Sequence, residues 1–328
     1  MKTEQMLSDQ YAIDIFGDVH GYSKPLISLL VQLGYESMNG VYRHPQSRKA
    51  LFLGDLIDRG PANVEVVEIV RKMVEHGEAV CLSGNHELNA VHFAMEHPGT
   101  PGRHLRPRTD KNLRQHLAFL NQYHTLPDGP ERLADDLAWF RTLPFAIDLP
   151  GLRAVHACWS EKHIRALDAP VVETRHEDDA FWRLSADKEH ELGVAADVVL
   201  KGAETRLPEG ISFKDKDHNV RTEARIAWWV DQGPWPDRVL GPPEFKLQLG
   251  QIHDEPDFGL RYEADEKPVF FGHYWFKPQG GRPYIAREPN VCCLDFSVAR
   301  PGGLLTAYRW DGEEKLDNEK LVAVPSSH

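Results

Sequence analysis

The sequence predicts an α/β protein built around a parallel sheet. Three observations carry that expectation. Strand-like and helix-like patterns alternate between residues 11 and 87. The strand-like runs end in short polar clusters flanked by glycine. Later apolar runs end at single histidines. The chain has 328 residues, 41% of them hydrophobic and 27% charged, as expected for a soluble globular protein of this size.

The elements follow in order. "YAIDIF" (11–16) reads as a strand and ends at "GDVHG". "KPLISLLVQLG" (24–34) has a dense apolar face, and Gly34 is placed to stop a helix. "KALFL" (49–53) is a second strand, running into "GDLIDRG" (54–60). "NVEVVEIVRKMVEHG" (63–77) reads as a helix with Asn63 as cap and Gly77 as stop. "EAVCLSGNHE" (78–87) is a third strand entering a loop. A β-α-β-α-β order implies parallel strands joined by crossover helices.

The stretch 97–116, rich in Pro, Gly and Arg, reads as a long loop leading into a helix. Its basic part, 103–114, is a solvated loop on the simplest reading and a substrate-docking rim on the functional one. "GLRAVHACW" (151–159) and "KPVFFGHYWF" (267–276) are buried strands ending at histidines. Their aromatics, Trp159 and the "HYWF" group, divide between core packing and pocket lining. "NVCCLDFSV" (290–298) and "GLLTAYRWDGE" (303–313) suggest a closing strand pair about the turn "RPGG". The interval 200–265 is rich in Pro, Gly and charge and reads as a loop-rich insertion or lid. Without repeats or a clear linker, 1–328 is expected to be one domain.

Bulk properties exclude several classes. No apolar run reaches the roughly 20 residues of a membrane span, and "MKTEQMLSDQ" lacks an apolar signal core. Four cysteines, two of them adjacent, do not form a disulfide framework, so a cytoplasmic location is expected. A net charge of −12 argues against long nucleic-acid partners but permits a phosphate-bearing substrate where metal ions supply positive charge. No G-x-x-x-x-G-K-[ST] loop is present. A cysteine phosphatase needs arginine six positions after its cysteine; Cys158 has Ile164 there and Cys293 has Ala299.

The polar clusters carry the chemistry. They hold Asp18 and His20; Asp55, Asp58 and Arg59; Asn85 and His86; His156; and His273. In open parallel sheets the loops at strand carboxyl ends converge on one crevice. Asp, His and Asn without thiolate suit Mn, Fe or Zn. Asp18, His20, Asp55, Asn85, His156 and His273 are too many donors for one open tetrahedral site. They suit two metals about 3.5–4 Å apart, with an acidified water as nucleophile for in-line attack on phosphorus. Arg59 could clamp the phosphoryl oxygens, and His86 could protonate the leaving group with Asp58 orienting it. The remaining histidines, including His92, read as surface or structural.

"GDVHG", "GDLIDRG", "GNHE", a later His and a final "GH" resemble the calcineurin-like metallophosphoesterases, and within them the phosphoprotein phosphatase branch. The resemblance implies a four-layer α/β/β/α sandwich with its active site at strand carboxyl ends. It also implies a dinuclear Mn, Fe or Zn centre bridged by Asp55, and an acid dyad of Asp58 and His86. Two features depart from the pattern. "HAC" stands where the family usually has HGG or HAG, and a second phosphate-clamping arginine is not obvious. Arg183 in "AFWRLS" is the candidate, with Arg206, Arg221 and Arg225 competing. "KGAETRLPEG" and "CLDFSVARPGGLLTAYRWDGE" are similar to a bacterial subgroup that includes a cold-active protein-tyrosine phosphatase.

The expected function is therefore a metal-dependent phosphatase acting on phosphorylated protein at Tyr or Ser/Thr, or on a small phosphoester, with no membrane partner. Hydrolysis of a dinucleoside polyphosphate is the enzymatic alternative. A non-catalytic binding module with a relict site is the third reading, which the intact Arg59 and His86 oppose.

Overall fold

The computed structural model describes residues 7, 12–168, 178–214, 220–250, 259–286 and 288–326. Two sheets face each other. In the larger, Ile13–Phe16, Lys49–Phe52 and Ala79–Cys81 run parallel, in the register Ile13↔Lys49 and Ala50↔Ala79. Leu304–Trp310 lies antiparallel to the first of these and also pairs with Asp295–Phe296 and Leu321–Pro325. In the smaller sheet Val291–Cys293, Val269–Phe271 and Arg153–Val155 are parallel, and Ala146–Asp148 is an antiparallel edge.

The period-2 alternation of the strands explains the layering. Ile13, Ile15, Leu51, Leu53, Val80 and Leu82 of the larger sheet form one buried cluster with Ile147, Ala154, Phe270 and Cys292 of the smaller. The alternate residues Phe16, Phe52, Cys81, Val155, Phe271 and Cys293 belong to a second cluster. That cluster also holds the apolar faces of helices Ser23–Gln32, Asn63–Glu75, Glu161–Asp168 and Glu191–Lys201. The result is the expected α/β/β/α sandwich. Each buried Leu, Ile or Phe side chain contributes roughly 1.5–3 kcal/mol to holding these layers together.

Several details differ from the sequence expectation. Asn63 is the first residue of its helix rather than the cap, and its Nδ2 donates to the Gly60 carbonyl at 2.8 Å. The loop after residue 97 ends early. Helix Asp110–His124 starts there, and the Thr109 hydroxyl accepts from the Asn112 N–H at 3.3 Å. The closing strand pair is divided between sheets: Val291–Cys293 joins the smaller and Asp295–Phe296 the larger, so this one segment ties the two together. Helix Gly129–Phe140, the edge strand Ala146–Asp148 and the last strand Leu321–Pro325 were not expected. A three-residue strand is too short to show a period, and the edge strand gains its place only through pairing.

Within 200–265, Glu204–Arg206 pairs with Glu223–Arg225, and Leu207, Trp235, Val239, Phe245 and Leu249 form a small core. Trp228 anchors this region by donating from Nε1 to the Ala157 carbonyl at 2.9 Å. Residues 215–219 and 251–258 of the expected insertion lie outside the described residues. Among the described residues, no helix is long and apolar enough to cross a membrane.

Candidate dinuclear metal centre

The loops after the parallel strands adopt backbone conformations that side chains usually avoid. His20, Asp55, Asp58, Arg59 and His273 have φ of 47°, 52°, 71°, 67° and 71°. Such left-handed geometry in non-glycine residues persists only where neighbours over-determine it. Here Glu87 does much of that. Its buried carboxylate accepts from the N–H groups of Asp55 (2.9 Å), Leu56 (2.8 Å) and Gly84 (2.9 Å). Two glycines allow the closest approaches. A Cβ at Gly84 would sit 2.2 Å from Asp55 Oδ1, and one at Gly272 would sit 2.0 Å from Asp18 Oδ1.

The six residues expected to hold metal, spread from Asp18 to His273, form one continuous buried cluster. Asp18 Oδ2 lies 3.8 Å from His20 Nε2, which is 3.7 Å from Asp55 Oδ2. His156 Nε2 lies 3.4 Å from Asp55 Oδ1 and 3.2 Å from Asn85 Oδ1. Asn85 Oδ1 is in turn 2.8 Å from His273 Nδ1. Two histidines are oriented by the backbone: His20 Nδ1 lies 3.0 Å from the Ile57 carbonyl and His156 Nδ1 lies 2.8 Å from the Leu53 carbonyl. An Nδ1–H donated there turns each Nε2 inward, the usual arrangement for a metal-binding imidazole.

Beside this cluster His86 Nδ1 lies 2.5 Å from Asp58 Oδ2. Arg59 reaches both His20 Nε2 (2.5 Å) and His86 Nε2 (3.3 Å). The Arg59 guanidinium also lies 3.9 Å from the Trp275 ring, and that of Arg300 lies 4.3 Å from the same ring. Arg183 is not brought into this group. It lies 41% exposed on helix Asp179–Ala186, with its guanidinium 3.8 Å from Asp179.

Sequence reasoning missed three buried residues of the network and the less buried Arg300. Glu87 stood inside a recognised motif but had no assigned role. Asp295 is buried and accepts from Trp275 N at 2.8 Å and Ser297 N at 2.9 Å. His116, read as surface or structural, is buried with Nδ1 3.0 Å from Asp58 Oδ1. Its only sequence signal is its spacing with Leu113, Leu120 and Tyr123 on one helix face.

The electrostatics are those of a site short of positive charge. Burial, then the nearby Asp295, push the Asp18 carboxyl well above the usual range. Burial opposes ionisation of Asp55, yet His156 and His86 outweigh it and hold its carboxyl low. Burial would also lower the His156 imidazole, but Asp55 outweighs it and raises it to about 10. Burial and then Arg59 push the His20 imidazole well down, and burial does the same to His273, so of these three histidines only His156 takes a proton against the buried carboxylates; divalent cations would serve the same need. His273 Nε2 is buried with no hydrogen-bond partner. The donor atoms fall into two groups, His20–Asp55–His86 and Asp55–His156–His273, which share Asp55. Oxygen and imidazole donors, an orphaned nitrogen and two glycine-lined approaches fit a pair of hard-to-borderline divalent ions.

Residues 11–221, more than half of the chain, match the calcineurin-like phosphoesterase family. The asymmetrical bis(5'-nucleosyl)-tetraphosphatase PrpE of Oceanobacillus iheyensis is 45% identical over 74 residues, which are 23% of this chain and 30% of that protein. The match thus spans under a third of such curated relatives. A solved putative diadenosine tetraphosphatase is 17% identical with a TM-score of 0.44, over 96% of this chain and 94% of that one. The cold-active protein-tyrosine phosphatase of a Shewanella species is 15% identical with a TM-score of 0.43, over 93% of this chain and 80% of that one.

Proposed function

Because the chain belongs to the calcineurin-like phosphoesterase family, we propose that it is a divalent-metal-dependent phosphoester hydrolase. The observation that carries this reading is Asp55 shared between two groups of buried donor atoms. In this reading Asp18, His20, Asp55, Asn85, His156 and His273 hold two divalent ions. Bound there, the ions supply Lewis acidity, acidifying water and neutralising charge on phosphoryl oxygens. The remaining steps belong to the chain. Arg59 presents a planar fork to the phosphoryl group. His86 gives its Nε2 proton to the departing oxygen, while Asp58 at Nδ1 holds the ring in orientation.

Two linked measurements test this. A chromogenic aryl phosphate is expected to be hydrolysed with Mn²⁺ and to resist hydrolysis after chelation; equal turnover in excess chelator would sink the metal-dependent reading. His86→Asn is expected to retain metal while losing on the order of 10²–10⁴ in rate on a poor leaving group. Wild-type rates from that variant would remove His86 as the acid.

Of the two substrate classes expected from sequence, we place the dinucleoside polyphosphate before the phosphoprotein. Arg59 and Arg300 both pack against the Trp275 ring, at 3.9 and 4.3 Å from its centroid. A second guanidinium on the same indole offers a contact for a further phosphate of a chain, so Arg300 is the residue whose removal separates the two classes. The likeness to the bis(5'-nucleosyl)-tetraphosphatases over 74 residues agrees with this. A panel of phosphotyrosine peptide, phosphoserine peptide and diadenosine tetraphosphate separates the classes. Arg300→Ala is expected to weaken turnover of the tetraphosphate and leave an aryl phosphate unaffected. An equal loss on both, or a preference for either peptide, would return the phosphoprotein reading to first place.

A further inference from the structure

Helix Asp110–His124 turns His116 inward, where it is 1% exposed and packs edge-on to Phe93 with ring centroids 5.3 Å apart. Its Nδ1 lies 3.0 Å from Oδ1 of Asp58 and 2.9 Å from Oδ2. The same Oδ2 is 2.5 Å from His86 Nδ1. Three side chains from three separate segments thus form one buried chain: His116, Asp58, His86.

The other nitrogen of His116 makes the arrangement informative. Nε2 is buried with no hydrogen-bond partner. The imidazole borders a cavity of about 370 Å³ whose walls include Phe93, Leu113, Phe119, Leu120 and Leu133. An unpaired polar atom against these largely apolar walls is unfavourable, and a leucine here would avoid that cost. What the imidazole supplies in return is its Nδ1 donor to Asp58.

That donor has a mechanical consequence. A carboxylate contacted by one imidazole can turn about its terminal bond, and the imidazole can turn with it. Two imidazoles on one carboxylate fix its plane. The plane of Asp58 in turn sets where His86 Nε2 points. Asp58 itself sits in left-handed backbone at φ 71°, so its position depends on such outside contacts. We propose that His116 is a positioning residue for the leaving-group acid, holding Asp58 so that the His86 ring faces the departing oxygen. The proposal rests on the reading of His86 as that acid.

The test uses the full-length, metal-loaded protein and three variants. His116→Leu removes the donor and adds apolar volume toward the cavity. His116→Asn places an amide N–H close to the Nδ1 position, and His116→Gln places one at the Nε2 position instead. Metal content is expected to be the same in all. On aryl phosphates of graded leaving-group basicity, His116→Leu and His116→Gln are expected to lose about 10- to 100-fold in kcat for poor leaving groups, as for other outer partners of active-site groups. Little loss is expected for good leaving groups, with KM nearly constant. His116→Asn is expected to recover most of the loss. A loss equal across leaving groups, or His116→Asn no better than His116→Gln, would assign His116 to packing alone.

A second readout is independent of turnover. In the zinc-loaded protein the proton in the short His86–Asp58 contact should give a far-downfield NMR resonance. It should survive in His116→Asn and shift or broaden in His116→Gln and His116→Leu. An unchanged resonance in all three variants overturns the proposal. If the wild type hydrolyses no phosphoester yet the resonance follows this pattern, the functional reading fails and the positioning role stands.

Discussion

Asp58 shows how much one side chain in this site depends on its partners. Burial alone would raise its carboxyl, but hydrogen bonds from His116 and then His86 outweigh burial and hold it at about 2, below its ordinary 3.8. A carboxyl depressed in the folded state stabilises the fold above its unfolded pKa, and that contribution disappears as pH falls through the folded value. For Asp58 it is fully present above about pH 4 and lost toward pH 2, a difference of about 2 kcal/mol. Asp58→Asn should therefore show a smaller acid-induced loss than wild type when urea midpoints of the metal-free protein are compared from about pH 5 to about pH 2. Parallel curves for the two proteins would mean that the dyad does not hold Asp58 ionised.

At the scale of elements, the strands deliver the polar loops and the loops' backbone brings the donors within reach. Gly272, at the end of strand Val269–Phe271, is the sharpest case, because a Cβ there would lie 2.0 Å from Asp18 Oδ1. Its φ is not in the left-handed range, so alanine is refused by proximity alone. Gly272→Ala is expected to push the Asp18 carboxylate away from His20 while leaving the buried layers intact. The expected signature is a circular dichroism spectrum like wild type with weakened metal binding and at least tenfold lower turnover. Normal metal affinity in a folded Gly272→Ala would show that Asp18 has room to move without consequence.

For the whole molecule, the site lies among loops fed by both sheets, with Asp18 and Asp55 following strands of the larger and His156 and His273 following strands of the smaller. Ions held between them would join the two sheets at their carboxyl edges. Their removal leaves Asp18, Asp55 and Asp295 buried together with only histidine and arginine to balance them. Stabilisation by a ligand that binds only the folded state is about 2.7 kcal/mol at a hundredfold excess over its Kd. Chelation is therefore expected to lower Tm by several degrees, and added Mn²⁺ to restore it in a concentration-dependent way. A Tm indifferent to chelator and metal would argue against ions at this place.

The first strands and helices are legible in the chain, because their periods of 2 and 3.6 are written in consecutive residues. The loops that carry the site are marked as well, because a carboxylate, amide or imidazole follows within a few residues of each apolar run. The remaining parts of the site depend on the fold. His116 reaches Asp58 across 58 positions and Asp295 joins from the far end of the chain, and nothing in their immediate neighbours announces either. Glu87 looked like one more letter of a motif until its carboxylate was seen to hold three backbone N–H groups. The physical reason is the same in each case. A strand or helix is specified by local repetition, whereas a partner in a buried polar network is specified only by where the folded layers bring it.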